Sequence, residues 1–277
     1  MRIRIDLAYD GTDFKGWARQ PDLRTVQGEL EAALGSVVRE PVAVTCAGRT
    51  DTGVHARGQV VHIDLTPELL TAVAGRYEGL PTDALVRRLN GLLPGDIRVA
   101  RAYVVPDEFD ARFSALWRRY AYRIVDSVEL VDPLTRNHVL AWPRALDIEA
   151  MNAASAPLVG LNDYASFCKK REGATTIRQV TELSWRRQSD GIIVGTVVAD
   201  AFCHSMVRSL VGCLIAVGEG RKPVEWAEEV LAGRVRESAV IAAHGLTLEE
   251  VGYPADEDLG ARLAITMNRR TEDELDG

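Results

Sequence analysis

The chain has 277 residues, of which 47% are hydrophobic and 26% charged, and 33 Lys plus Arg stand against 40 Asp plus Glu for a formal charge of −7. Those values describe a globular protein whose core needs neither disulfides nor a metal, and they exclude a chain disordered throughout. No window approaches the roughly 18 uninterrupted apolar residues of a membrane span, and Arg2-Ile3-Arg4-Ile5-Asp6 has no signal-peptide core, so a cytoplasmic protein is expected.

Ile3, Ile5, Leu7 and Tyr9 alternate with Arg2, Arg4, Asp6 and Ala8, which predicts a half-buried first strand. Past a loop containing Gly11, Gly16 and Pro21, the residues Val26, Leu30, Ala33, Leu34 and Val37 recur at helical spacing behind Thr25, a suitable N-cap. Two short β-branched runs, 41–46 and 59–65, predict strands on either side of a loop over 48–58. Residues 83–93 read as a helix, 97–105 as a strand, and Pro106-Asp107-Glu108 as a boundary of turn formers.

The alternation then restarts. Strands are predicted over 119–125, 177–187 and 192–199, and helices over 147–158, 202–217 and 226–231. In the helix over 202–217, Met206, Val207, Leu210, Val211 and Leu214 form one apolar stripe, from which Arg208, His204 and Gly212 face away. Strands and helices in similar order predict an α+β fold with an N-terminal half over 1–106 and a C-terminal half over 107–254. Residues 255–277, with seven acidic residues against three arginines, read as a disordered acidic tail.

That tail carries −4 of the charge and leaves the body nearly balanced. Within the body, basic residues gather at Arg118, Arg119 and Arg123, at Lys169-Lys170-Arg171, at Arg186-Arg187 and at Arg221-Lys222, interleaved with Trp117, Tyr120, Tyr122 and Trp185. Cationic and aromatic side chains in alternation suit RNA. The cysteines Cys46, Cys168, Cys203 and Cys213 include no CxxC pair and no histidine at zinc-finger spacing, so buried free thiols are expected. His55, His62, His138, His204 and His244 form no HExxH motif, and no phosphate loop or Gly-x-Ser-x-Gly elbow occurs. Metal hydrolysis, nucleotide hydrolysis and serine chemistry therefore have no sequence support.

What remains is a carboxylate with arginines and aromatics. Asp51 stands in Gly48-Arg49-Thr50-Asp51-Thr52-Gly53-Val54-His55-Ala56, a polar loop between apolar strands, with Arg49 and Arg57 as cationic neighbours. A turn aspartate bonded to local backbone is the alternative reading. In the stretch 111–123 strand parity puts Tyr120 and Tyr122 on one face, either as core or as a stacking platform for a base. On the helix over 202–217 Arg208 is placed to face either solvent or a carboxylate.

These stretches together resemble the TruA-type tRNA pseudouridine synthases. The family's opening motif stands here as Tyr9-Asp10-Gly11-Thr12-Asp13-Phe14-Lys15-Gly16-Trp17, and its aspartate signature at 48–56, followed by Gly58-Gln59-Val60. Further matches are Phe109 to Ser114, Arg118-Arg119-Tyr120-Ala121-Tyr122, and 201–208, the whole running from about residue 3 to 253. Ala18, Thr52 and Ser205 depart from common family residues without removing a proposed catalytic group.

The resemblance implies the pseudouridine synthase fold: two similar halves, each a mainly antiparallel mixed sheet flanked by helices, with a catalytic cleft between them. It implies isomerisation of uridine to pseudouridine at positions 38, 39 and 40 of the tRNA anticodon stem-loop, by a homodimer without metal, nucleotide or other cofactor. It further implies Asp51 as nucleophile, Tyr120 as the stacking residue and Arg208 as the guanidinium paired to Asp51, with Arg49, Arg57, His55, Arg118 and Arg119 contacting RNA. Whether the carboxylate attacks the uracil ring or the sugar stays open. A noncatalytic RNA-binding or RNA-folding protein would use the same basic and aromatic surface but would have no need of Asp51. A metal-dependent RNA hydrolase would need a ligand cluster that the sequence lacks.

Overall fold

A computed structural model describes residues 1–169 and 175–266, which fall into two units: 1–116 with 248–266, and 117–247. The division follows Leu116 rather than residue 106. In the first unit the chain forms β1 (Arg2–Tyr9), α1 (Val26–Val38), β2 (Thr45–Cys46), β3 (His55–Asp64), α2 (Pro67–Ala74), α3 (Pro81–Leu92) and β4 (Ile97–Val105). β1 is central, antiparallel to β3 with Ile5 opposite Val61 and to β4 with Ile5 opposite Ala102. Its Ile3, Ile5 and Leu7 are fully buried, as the alternation requires.

The Thr25 side chain accepts the Gly28 N–H at the start of α1, so the cap is the expected one. Of the strand expected over 41–46 only Thr45 and Cys46 pair, with β3, although Val42 and Val44 are buried. There the β-branched run reports burial and not pairing. α2 was not expected, yet its start signals are present: Thr66 accepts the Leu69 N–H and Pro67 opens the helix. It buries only Leu70 and Val73, too little to give a readable stripe.

The second unit forms β5 (Trp117–Val125), β6 (Leu140–Ala141), α4 (Ile148–Ser155), β7 (Gly160–Asp163), β8 (Ile177–Arg187), β9 (Ile193–Ala199), α5 (Met206–Gly218) and α6 (Trp226–Gly233). β5, β9, β8 and β7 lie side by side and antiparallel, and β6 adds to β5 in parallel, so this is a mixed, mainly antiparallel sheet. α4 packs on β8, and α4, α5 and α6 pack on one another. α5 is buried along its whole length except at Arg208. It begins at Met206, four residues later than expected, because Ser205 takes the left-handed conformation at φ 64°. His204 therefore precedes the helix and is exposed, instead of sharing a helix face with Arg208.

The chain then returns. β10 (Leu246–Gly252) runs beside β3, where Gly58 makes the approach possible: a Cβ there would stand 2.3 Å from the Glu249 carbonyl oxygen. Residues 248–254 thus join the first unit and not a C-terminal half. The expectation of disorder from 255 is corrected by a 3₁₀ turn at Asp256–Asp258 and by α7 (Leu259–Thr266). Leu259 is buried, and Arg262 donates to the Ala115 carbonyl at 3.0 Å, anchors that the acidic composition conceals. The rest of the tail, and Lys170 and Arg171 of the basic cluster, lie outside the described residues.

The expectation of four free thiols also needs correction. Cys168 and Cys203 form a disulfide, their Cα atoms 5.6 Å apart, while Cys46 and Cys213 are free and buried. A separation of 35 residues gives no spacing signal, and the pairing follows from two loops running together, with Lys169 N–H donating to the His204 carbonyl at 3.1 Å. Burial pushes the Cys46 thiol up to about 11 and the Cys213 thiol up to about 12. Alkylation should accordingly find no reactive thiol in the native protein, two after denaturation and all four after denaturation with reductant, read by intact mass. Four labels without reductant would contradict the bridge.

Candidate active site

The loop between β2 and β3 is short, so Asp51 is held close to rigid elements. Ala47 N–H donates to the Val60 carbonyl at 2.8 Å and closes the loop's base. At its tip the Val54 N–H donates to the Asp51 carbonyl at 3.1 Å, with Gly53 at φ 77°, the third position of a turn that favours glycine there. Asp51 is half-buried, Arg49 and Arg57 are exposed, and Arg57 lies 3.6 Å from the Glu249 carboxylate.

The opening motif supports this loop from beneath. Trp17 N–H donates to the Thr50 carbonyl at 3.0 Å, and the Tyr9 and Thr50 hydroxyls are 2.7 Å apart. A Cβ on Gly11 would stand 2.0 Å from the Val54 carbonyl oxygen, so only glycine permits the approach. His55 is buried and its Nδ1 accepts the Gly11 N–H at 2.9 Å, with Asp10 Oδ1 3.1 Å away. His55 thereby ties the aspartate loop to the opening motif. The Gln59 amide, also buried, donates to the Tyr9 hydroxyl at 3.2 Å and to the Gly48 carbonyl at 2.8 Å. Tyr9, Thr50 and Gln59 stand within the matched motifs but were given no site role from the sequence; a glutamine inside an apolar β-branched run was the available signal.

In the second unit, Tyr120 sits on β5 opposite Val197, 7% exposed, and meets Phe202 edge to face at 5.1 Å between ring centroids. Arg118 shares that face and its Nη1 donates to the Asp200 carbonyl at 2.5 Å, whereas Arg119 points the other way and is exposed. Tyr122 donates to the Ala242 carbonyl at 2.7 Å, and burial pushes its hydroxyl far above the ordinary tyrosine range. Arg208 donates from Nε to the Ile241 carbonyl at 2.6 Å, and its own carbonyl accepts the Ile241 N–H at 3.3 Å. The polar side of α5 is therefore covered by residues 238–242, not by solvent. No signal in the sequence marked that segment.

Asp51 thus belongs to the first unit, with Arg49, Arg57 and His55, and Tyr120 and Arg208 belong to the second, with Arg118 and Arg119. Among the described residues no three His, Cys, Asp or Glu side chains come together as metal ligands, and no helix is long and apolar enough to cross a membrane.

Comparison with known proteins bears on the same residues. A family profile described as tRNA pseudouridine synthase matches residues 7–114 and 154–254. The chain is 56% identical over 276 residues to the tRNA pseudouridine synthase A of Streptomyces griseus subsp. griseus, covering 98% of this chain and 94% of that one. It is 55% identical over 282 residues to the protein of that name from Leifsonia xyli subsp. xyli, covering 98% of each chain. With the Mycobacterium leprae protein of that name the identity is 48% over 279 residues, covering 98% of this chain and 96% of the relative.

Proposed function

The chain belongs to the tRNA pseudouridine synthase family, and from that premise we propose that Asp51 is the nucleophile with which it isomerises uridine in tRNA. The enzyme is an isomerase acting on tRNA. The N1–C1′ bond breaks, uracil turns, C5 bonds to C1′, the proton on C5 leaves and N1 gains one. Nothing is oxidised or reduced, so the reaction calls for no cofactor.

The observation that carries the assignment is the loop itself: Asp51 stands at the tip of a closed turn whose preceding residues are pinned through Thr50 and Gly48. A carboxylate presented from rigid backbone can attack either the uracil ring or C1′ without paying to order itself at the moment of reaction. Arg208 is the cation of Asp51 in this reading, and Tyr120 stacks on the base once it leaves the anticodon arm, an extrusion that costs a few kcal/mol. The exposed Arg49, Arg57 and Arg119 meet phosphates, giving a steep salt dependence. Arg118, held on the Asp200 carbonyl, positions β5 instead. The substrate is the anticodon stem-loop at positions 38, 39 and 40, and the working form is a cytoplasmic homodimer.

Incubation with an unmodified tRNA transcript in EDTA, followed by chemical mapping of pseudouridine, tests the proposal. Pseudouridine at those positions is the expected result. Tight binding with no conversion would favour a noncatalytic RNA-binding protein.

A further inference from the structure

Tyr9 and Gln59 are bonded to the aspartate loop at Thr50 and Gly48. Both are buried, Tyr9 at 4% and Gln59 at 0% exposure, as is Thr50 at 6%. Buried polar groups survive in a core when they are bonded to one another, and these are. The Gln59 amide donates to the Tyr9 oxygen, and the Tyr9 and Thr50 hydroxyls, 2.7 Å apart, share a hydrogen bond in which either can donate. The second Gln59 bond holds the Gly48 carbonyl, and Trp17 holds the Thr50 carbonyl. Two of the three residues before Asp51 are thus fixed, one at the side chain and both at the backbone.

We propose that Tyr9 and Gln59 are positioning residues, which set the Asp51 loop through Thr50 and Gly48 and so act on turnover rather than on tRNA affinity. This rests on Asp51 being the nucleophile. The opening motif thereby acquires a role: Gly11 and Gly16 let its backbone approach the loop, Tyr9 supplies the hydroxyl, and Trp17 supplies the amide. The Tyr9 ring packs against Trp17 with centroids 6.0 Å apart, so removing the oxygen alone leaves the packing in place. Displacement of a reacting group by about 1 Å can cost on the order of 10²-fold in rate, and a loop released from one of its ties should lose a part of that.

The test measures single-turnover rate, tRNA dissociation constant and melting temperature for four variants beside the parent. Tyr9→Phe should slow turnover by roughly 10- to 100-fold with affinity within about twofold and melting within a few degrees. Thr50→Val should also slow turnover, and Tyr9→Phe with Thr50→Val together should be no slower than the worse single variant by more than about twofold, since the bond between Tyr9 and Thr50 is the one that both remove. Thr50→Ser keeps the hydroxyl and should retain the rate. A parent-like rate in Tyr9→Phe, multiplicative losses in the double variant, or a loss that follows affinity or melting would each overturn the proposal. Asp51→Asn, run alongside, separates the two readings. If it is inactive while Tyr9→Phe is fast, only the positioning role falls; if it turns over normally, both fall.

Discussion

Asp51→Asn should leave no detectable pseudouridine while weakening tRNA binding by less than about tenfold, or ~1.4 kcal/mol. The exchange keeps the volume of the side chain and removes its charge and nearly all of its nucleophilicity. The turn closes through the Asp51 carbonyl, and bonds to Thr50 and Gly48 support the loop, ties that the exchange leaves in place. Loss of chemistry without loss of binding would therefore report on the reacting group and not on a collapsed loop. Single-turnover assays with mapped product, paired with filter-binding affinities, supply both readings. Conversion at near the parent rate would return Asp51 to a turn residue, the reading its position on a turn also permits.

How far the sequence reached depended on the range of the interactions involved. Local rules were enough for β1, α1 and the Thr25 cap, where alternation, helical spacing and one hydroxyl specify the outcome within a few residues. Loop 48–54 was legible as a site because its glycines, arginine and aspartate are contiguous. What pins it was not, because Tyr9 and Gln59 reach Thr50 and Gly48 across 41 and 11 residues. The same limit hid the Cys168–Cys203 bond, the return of β10 to β3, and the burial of Leu259 within an acidic segment. Composition read residues 255–266 as disordered because charge was counted and one well-placed leucine was not. α5 failed differently, since its apolar stripe gave no start signal and Ser205 ends the preceding segment by a backbone choice that the side chain does not announce.

Gly212→Ala should destabilise the protein and slow it, although in an ordinary helix interior the same exchange stabilises by about 1 kcal/mol. The sign reverses at this position because a Cβ on Gly212 would stand 1.9 Å from the Ala239 carbonyl oxygen, so backbone must move. The segment that moves is the one whose next carbonyls bind Arg208 Nε, at Ile241, and the Tyr122 hydroxyl, at Ala242. An overpacking cost of roughly 1–3 kcal/mol lowers melting by about 2–4 °C per kcal/mol in a chain of this size. A shift at Ile241 also frees the guanidinium assigned to Asp51, so turnover should fall by more than tRNA affinity. Gly91→Ala in α3 is the internal control, because its Cβ would meet nothing within 4 Å and the helix preference acts unopposed. Melting should therefore rise for one glycine and fall for the other. If Gly212→Ala melts at or above the parent and keeps its rate, the covering of the polar side of α5 by residues 238–242 is wrong, and Arg208 loses the carbonyl that orients it.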